Sequence, residues 1–312
     1  VIEVNMKKII QRASLGLVAL LVIGEIAVRV MGMVDFPLYG RDDELGYWIQ
    51  PNQQGKFMGK NEWAFNDKGM PIAKNFQPTE AIDVPVMGNS IIMGGNSYKQ
   101  KDKVPPLLQS ALGTGFNIWP VAVGGWSNVN EAVYLGRHPE VAANADLFIW
   151  EVMYGGFSQP ARWTSEYVFP TKAPVSALWY FSRRYVLPRF MHFDMNELPP
   201  VGQAKQTNLE LIEGQIQKLS RASGKKHPGL FFIYPNREQL EAAQAGKEWL
   251  PDRQAVEMLA KKYNLDIVDI SKNKTWTTAY YRESTHPNED GNKFIAKMLA
   301  AALLDLQAKN KD

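Results

Sequence analysis

The sequence predicts a three-layer α/β/α domain built on a mostly parallel five-stranded sheet, preceded by a transmembrane helix. Two observations carry the domain. From about residue 81, short apolar runs alternate with amphipathic helical stretches, the pattern of parallel strands with helices on both faces. The first two runs also end in glycine-rich turns, at 88–90 and 124–125. The helix rests on a third observation, an uncharged apolar run at 13–24 behind a basic flank.

That flank, residues 1–12, carries Lys7, Lys8 and Arg12 and is expected on the cytoplasmic side. Residues 13–34 approach the roughly 20 residues that cross a bilayer. They read first as an uncleaved signal anchor, because no A-x-A cleavage site follows. A cleaved signal peptide and a buried amphipathic helix are the alternatives. Glu25 and Arg29 are spaced four apart, so on a helix they share a face and can pair. The expected localisation is single-pass, with the folded domain extracytoplasmic. Residues 35–80, rich in Gly, Asn, Gln and aromatics, read as a stalk or a small β-rich cap.

Residues 81–312 form the main domain. The expected strands are 83–88, 116–125, 145–152, 229–235 and 265–270. The expected helices are 102–113, 127–138, 207–223, 237–263 (broken at Pro251) and 288–306. Pro105 near the start of the first helix and Ser127 as a cap of the second fit this reading. Residues 154–206 interrupt the rhythm with an insertion dense in Trp, Tyr, Phe and Arg, of the length that usually forms a lid or a binding element.

Composition excludes several classes. The chain has 312 residues, 45% of them hydrophobic, and a net charge of only +3, too weak a field for a nucleic-acid partner. It has no cysteine, hence no disulfide, thiolate metal site or cysteine nucleophile. The four histidines are scattered, so neither a metal nor another cofactor is expected.

The chemistry points to a serine. "VMGNSIIMGG" sets Ser90 in a Gly-x-Ser turn directly after a buried strand. A serine hydroxyl needs a base to take its proton. His138, His192 and His227 have no such setting. His286 lies in "RESTHPNEDG", with Glu283 three residues upstream to orient the imidazole. Ligands of such sheets bind beyond the carboxyl ends of the strands. The turns at 88–90, 124–125 and 151–156 therefore converge on one rim.

This ordered set resembles the SGNH (GDSL-type) hydrolase superfamily over residues 81–307. "VMGNSIIMGG" is similar to the family's first block, "VAVGGWSNVNEA" to its second and "ESTHPNEDGNKFIA" to its last. The resemblance implies Ser90 as nucleophile, His286 as base and Glu283 as orienting acid. It implies an oxyanion hole from the N–H groups of Ser90 and Gly125 or Gly124. Three positions depart: Asn89 and Glu283 stand where the family has Asp, and "WEVMYGGFS" lacks the Asn of the third block. Losing one oxyanion donor costs about 100- to 1,000-fold in rate. The hole is then either short of a donor, refilled by a backbone N–H at 154–156 or by Asn128, or not used.

Asn89, Asn128, Tyr154, Trp163, Arg183 and Arg184 are candidate substrate-binding residues. Insertion aromatics (Trp163, Tyr167, Phe169, Trp179, Tyr180, Phe181, Tyr185) suit core packing or sugar stacking. Arg183, Arg184 and Arg189 suit anions or lipid headgroups. The resemblance implies acyl transfer on O-acyl groups of a cell-envelope polysaccharide, as esterase or O-acyltransferase. A glycan- or partner-binding scaffold of little activity and a membrane-proximal lipid esterase are the other expectations.

Overall fold

The computed structural model describes residues 2–191 and 208–311. His192 and the end of the insertion lie outside them. Helix α1 spans Ile2–Val30. Two antiparallel hairpins follow, β1 (Tyr39–Asp42) with β2 (Gly46–Ile49) and β3 (Gln53–Phe57) with β4 (Asn61–Phe65). Next come β5 (Ile82–Gly88), α2 (Ser90–Met93), α3 (Val104–Leu112), β6 (Phe116–Ala122), α4 (Asn128–Arg137), α5 (Pro139–Ala143) and β7 (Phe148–Val152). The insertion contributes α6 (Ala177–Phe181), continued by a π turn at Ser182–Val186 and a 3-10 turn at Leu187–Arg189. The chain ends with α7 (Leu209–Ser223), β8 (Gly229–Ile233), α8 (Arg237–Gln244), α9 (Arg253–Tyr263), β9 (Asp266–Asp269) and α10 (Glu289–Lys309).

The main sheet has the order β6-β5-β7-β8-β9, and every pair in it is parallel. In order of appearance this is 2-1-3-4-5, the flavodoxin-like order. The five strands are those expected, with the runs at 116–125 and 229–235 trimmed at their ends, 145–152 at its start, 265–270 at both ends, and 83–88 extended by one residue. The inner strands are mostly apolar because both faces are covered: β5, β7 and β8 bury nearly every residue, whereas the edge strand β9 is only half-buried. Helices α3 and α10 pack together, and α4, α7 and α9 pack in a row. Parallel strands are joined by crossovers that are right-handed as a rule, which sets these two groups of helices on opposite faces.

The expected 237–263 helix is two helices separated by residues 245–252. The chain leaves α8 through Gly246, whose φ of +74° belongs to the left-handed region, before Pro251 is reached. Residues 35–80 are no stalk. Tyr47, Ile49, Trp63, Phe65 and Met70 of the hairpin region are buried in the same core as the main sheet. Arg137 of α4 grips Asp42 with two bonds of 2.8 and 2.7 Å.

One buried amide joins cap, α4 and insertion. Asn130 is fully buried; its Nδ2 donates to Leu45 O and Ala161 O, and its Oδ1 accepts from the N–H groups of Ser127 and Ala161. Asn130→Ala strands these backbone groups. Urea unfolding followed by tryptophan fluorescence is expected to show a loss of at least about 2 kcal/mol. A loss near zero would mean that water replaces the amide and that the cap is not held there.

Candidate active site

Ser90 sits where β5 becomes α2. Asn89 caps this short helix, its Oδ1 accepting the Ile91 N–H at 3.0 Å. Gly94 ends it with φ +76°. The turn needs Gly88, because a Cβ there would collide with Glu151 Oε2 and Ile92 Cγ1. Met87 and Gly88 below it are buried, while Ser90 itself is half-buried.

His286 comes from the loop between β9 and α10. Its Nε2 lies 2.8 Å from Ser90 Oγ. Its Nδ1 faces Glu283 Oε1 in a close hydrogen-bonding contact. The network assigns the tautomer: Nδ1–H donates to Glu283, and Nε2 accepts from the serine hydroxyl. Burial works against charge on Glu283. The His286 N–H and ring and the Thr285 N–H outweigh it and hold the carboxyl down at about 2.

The loop itself is strapped. The Arg282 N–H bonds to His286 O, the Arg237 N–H to Ser284 O, and Tyr234 OH to Thr285 O at 2.9 Å. Tyr98 OH donates to Pro287 O, and the Arg282 guanidinium lies over the Tyr98 ring. Asn288 caps α10 through Gly291 N–H. The structure thus brings together the three residues expected to form the relay.

Beside them is a cavity of about 180 Å³, lined by Ser90, Gly95, Tyr98, Arg282, His286 and Asn292 among others. A larger cavity of about 300 Å³ lies in the insertion, but it holds none of Ser90, His286 or Glu283, so chemistry rather than size locates the site.

The glycine turn after β6 lies alongside. A Cβ on Gly124 would touch Ser90 Cβ at 3.8 Å. The Gly124 N–H is aimed at Met93 Sδ, at 3.1 Å. The N–H groups of Ser90 and Gly125 meet no acceptor among the described residues. Gly125, with φ +83°, is therefore the better oxyanion candidate of the pair. The cap holds this turn: Tyr47 OH donates to Gly124 O at 2.8 Å, and the Tyr47 ring stacks on Phe169.

Several expected ligands lie elsewhere. Asn128 is no oxyanion donor, because its Nδ2 is buried and donates to Glu131 Oε2 and Glu151 O. The Gly156 N–H closes a turn on Met153 O. Asn89 works as a cap, and its Nδ2 reaches Met153 Sδ. Trp163 is buried, donates to Phe169 O and lies under Arg41. Arg183 covers the Tyr167 ring, and Arg184 reaches Tyr180 OH. None of these lines the Ser90 cavity. Tyr154 is 60% exposed, one residue beyond the sulfur that touches Asn89.

Sequence reasoning missed a buried carboxyl pair. Glu151, the fourth residue of β7, is buried, and its Oε2 accepts the Asn89 N–H at 3.0 Å. Burial pushes its carboxyl up to about 8. Glu131 of α4, equally buried, is raised well above the carboxylate range by burial and by Glu151. It accepts from Asn128 Nδ2 and Trp150 Nε1. An acid inside the apolar run "FIWEV" was the available signal, since buried acids are rare.

The raised Glu151 sets a sign. The folded state holds a proton that the unfolded chain gives up near the ordinary 4.5, so stability is full below that pH and is lost as pH rises towards 8. Each unit of that window costs up to ~1.4 kcal/mol. Glu151→Gln keeps an acceptor for Asn89 and removes the titration. Its melting temperature is expected to fall less between pH 5 and about 8. Parallel curves for the two proteins would show that Glu151 is not protonated in the fold.

No protein-family model and no curated protein matches the chain. Among solved structures, it is similar to the psychrotrophic esterase EstA from Pseudoalteromonas sp. (10% identity, TM-score 0.42, 73% of this chain and 99% of that one). It is also similar to Est24, a carbohydrate acetylesterase from Sinorhizobium meliloti (12%, 0.43, 72% and 99%). A third is the salicylyl-acyltransferase SsfX3 from a tetracycline biosynthetic pathway (14%, 0.39, 73% and 56%). Likeness at this level carries no argument about the chemistry of this chain, which rests on its own residues. Its parallel sheet has the order 2-1-3-4-5, with Ser90 following the first of these strands and His286 preceding the last helix.

Proposed function

We propose that this chain is an SGNH-type serine acyl-transfer enzyme. One observation carries the reading, the unbroken relay from Ser90 Oγ to His286 Nε2 and from His286 Nδ1 to Glu283. In the first step Ser90 Oγ bonds to the carbonyl carbon of an ester, and its proton passes to His286 Nε2. The N–H groups of Ser90 and Gly125 receive the developing oxyanion. The C–O bond to the alcohol then breaks, and His286 returns the proton to the departing oxygen. In the second step His286 takes a proton from the acceptor, whose oxygen bonds to the acyl carbon; the bond from that carbon to Ser90 Oγ then breaks, and His286 returns the proton to Oγ. Water as acceptor makes an esterase; a sugar hydroxyl makes an O-acyltransferase.

The cavity of about 180 Å³ beside Ser90 has room for a short acyl group such as acetyl. The substrate we infer is a cell-envelope polysaccharide, as bearer of the acyl group in the esterase reading and as its acceptor in the transferase reading, supported by the motifs' resemblance and by the exposed Tyr154 ring. Helix α1 is long and apolar enough to cross a membrane. Read as an anchor with Lys7, Lys8 and Arg12 inside, it holds the domain on the extracytoplasmic face. The scaffold reading draws on one feature, the lack of a side-chain donor in place of the third-block Asn.

The test is hydrolysis of p-nitrophenyl acetate by the full chain in detergent. Ser90→Ala is expected to lower the rate by about 10⁴-fold or more. p-Nitrophenyl decanoate should be a far poorer substrate than the acetate. Equal rates for wild type and Ser90→Ala, with acetylated polysaccharide also left unchanged by both, would overturn the enzyme in favour of the scaffold.

A further inference from the structure

The membrane end of α1 is bonded to the insertion. Glu25 accepts the N–H groups of Ala177 and Leu178, both at 2.9 Å, and the Ser176 hydroxyl at 3.0 Å. Arg29 pairs with Glu25 and donates to the carbonyls of Pro174 and Val175. Leu178 packs against Gly24 so closely that a Cβ there would sit 3.1 Å from it. The edge formed by residues 174–179 is thus fixed to the last turns of the helix.

Length then sets the depth of that edge. The uncharged run Ala13–Gly24 has twelve residues, about 18 Å of helix, against about 30 Å of hydrocarbon. Flanking turns must cover the difference. On the N-terminal side Arg12 and the lysines can snorkel. On the other side the Glu25–Arg29 pair is drawn to the hydrocarbon boundary, where a carboxylate is tolerated only when paired and hydrogen-bonded. The contacts above supply both conditions, and they bring residues 174–179 with them.

The exposed face of this edge has the matching chemistry. Val175 is 95% exposed and Trp179 55%. With Lys172, Tyr167 and Tyr180 they line the cavity of about 300 Å³ noted above. Aromatic rings beside lysine are the composition of a membrane interface. Val30 and Met31, at the end of α1, are exposed as well.

We propose that the 174–179 edge is seated in the headgroup region of the bilayer, giving the domain a second membrane contact that sets its height and tilt. This rests on the reading of α1 as an anchor. The occupant of the face is lipid rather than a partner protein, because the anchor holds the edge at the boundary itself.

The chain has no cysteine, so single labels are clean. The full chain carrying one NBD-labelled cysteine is placed in phosphatidylcholine–phosphatidylglycerol nanodiscs containing brominated lipid. Val175→Cys and Trp179→Cys report the edge, Leu20→Cys the anchor, and Met258→Cys, exposed on α9, the water-facing control. The edge labels should be quenched at least about threefold more than Met258 and less than Leu20, as interfacial placement requires. Quenching of Leu20 with edge labels as bright as Met258 would overturn the proposal while leaving the anchor standing. No quenching at Leu20 would overturn both. Edge labels shielded from aqueous iodide yet untouched by bromine would assign the face to a protein partner, against the proposal. None of these readouts involves ester turnover, so the enzymatic reading stands or falls separately.

Discussion

The hydrogen bond from Asn89 N–H to Glu151 Oε2 joins the carboxyl ends of β5 and β7. These neighbouring strands flank the point where the order of the sheet reverses. A crevice opens there in every sheet of this order, and here a buried acid closes its floor. Gly88 must lack a side chain to admit that acid, Asn89 must turn its N–H down on to it, and Ser90 is thereby lifted to the rim. A carboxyl held neutral by burial can fill such a place without a counter-cation, which the described residues do not provide.

The base arrives from the opposite end of the chain, across 196 residues, and needs its own support. The 282–287 loop gains it from Tyr98, Tyr234, Arg237 and the cap of α10. Glu283 then serves two ends at once, bonding the backbone of its own loop and the imidazole. The extra methylene relative to Asp is absorbed inside this tight turn, so the longer acid still reaches Nδ1.

Cap and insertion do more than decorate the sheet. Tyr47 and Phe169, from different segments, form the wall against which the Gly124–Gly125 turn is set. Asn130 ties both segments to α4. The insertion in turn is held by Glu25 and Arg29 of α1. A chain of direct contacts thus runs from the apolar helix to the turn beside Ser90.

Much of this was legible in the sequence. Apolar runs alternating with helical stretches gave away all five main strands, and the inner ones most clearly, because a strand buried on both faces has no polar face to disguise it. Ser90, His286 and Glu283 were legible because a hydroxyl, an imidazole and an acid of that order have few other reasons to stand beside glycine turns and a helix start. The i, i+4 pair Glu25–Arg29 was legible because helix geometry alone decides it. Hairpin pairing in residues 35–80 was not: burial alternates along β3 and β4, but its inward positions include Gln53, Gly55 and Asn61, so no apolar/polar alternation marks it in the sequence. Nor were the fates of Asn128, Trp163, Arg183 and Arg184: each is a reasonable ligand by type, and only packing turned its polar atoms or ring inward.

By itself, the sequence determined local geometry and the roster of reactive groups: element types, the Gly-x-Ser turn, the acid-x-x-His loop and the apolar helix. Tertiary structure alone decided which groups meet. It set Ser90 against His286, spent the Asn128 amide on Glu131 and Glu151, and bound α1 to residues 174–178. The physical reason is that periodicity reports which face of an element is buried, whereas the partner across that face depends on contacts between residues far apart in the chain.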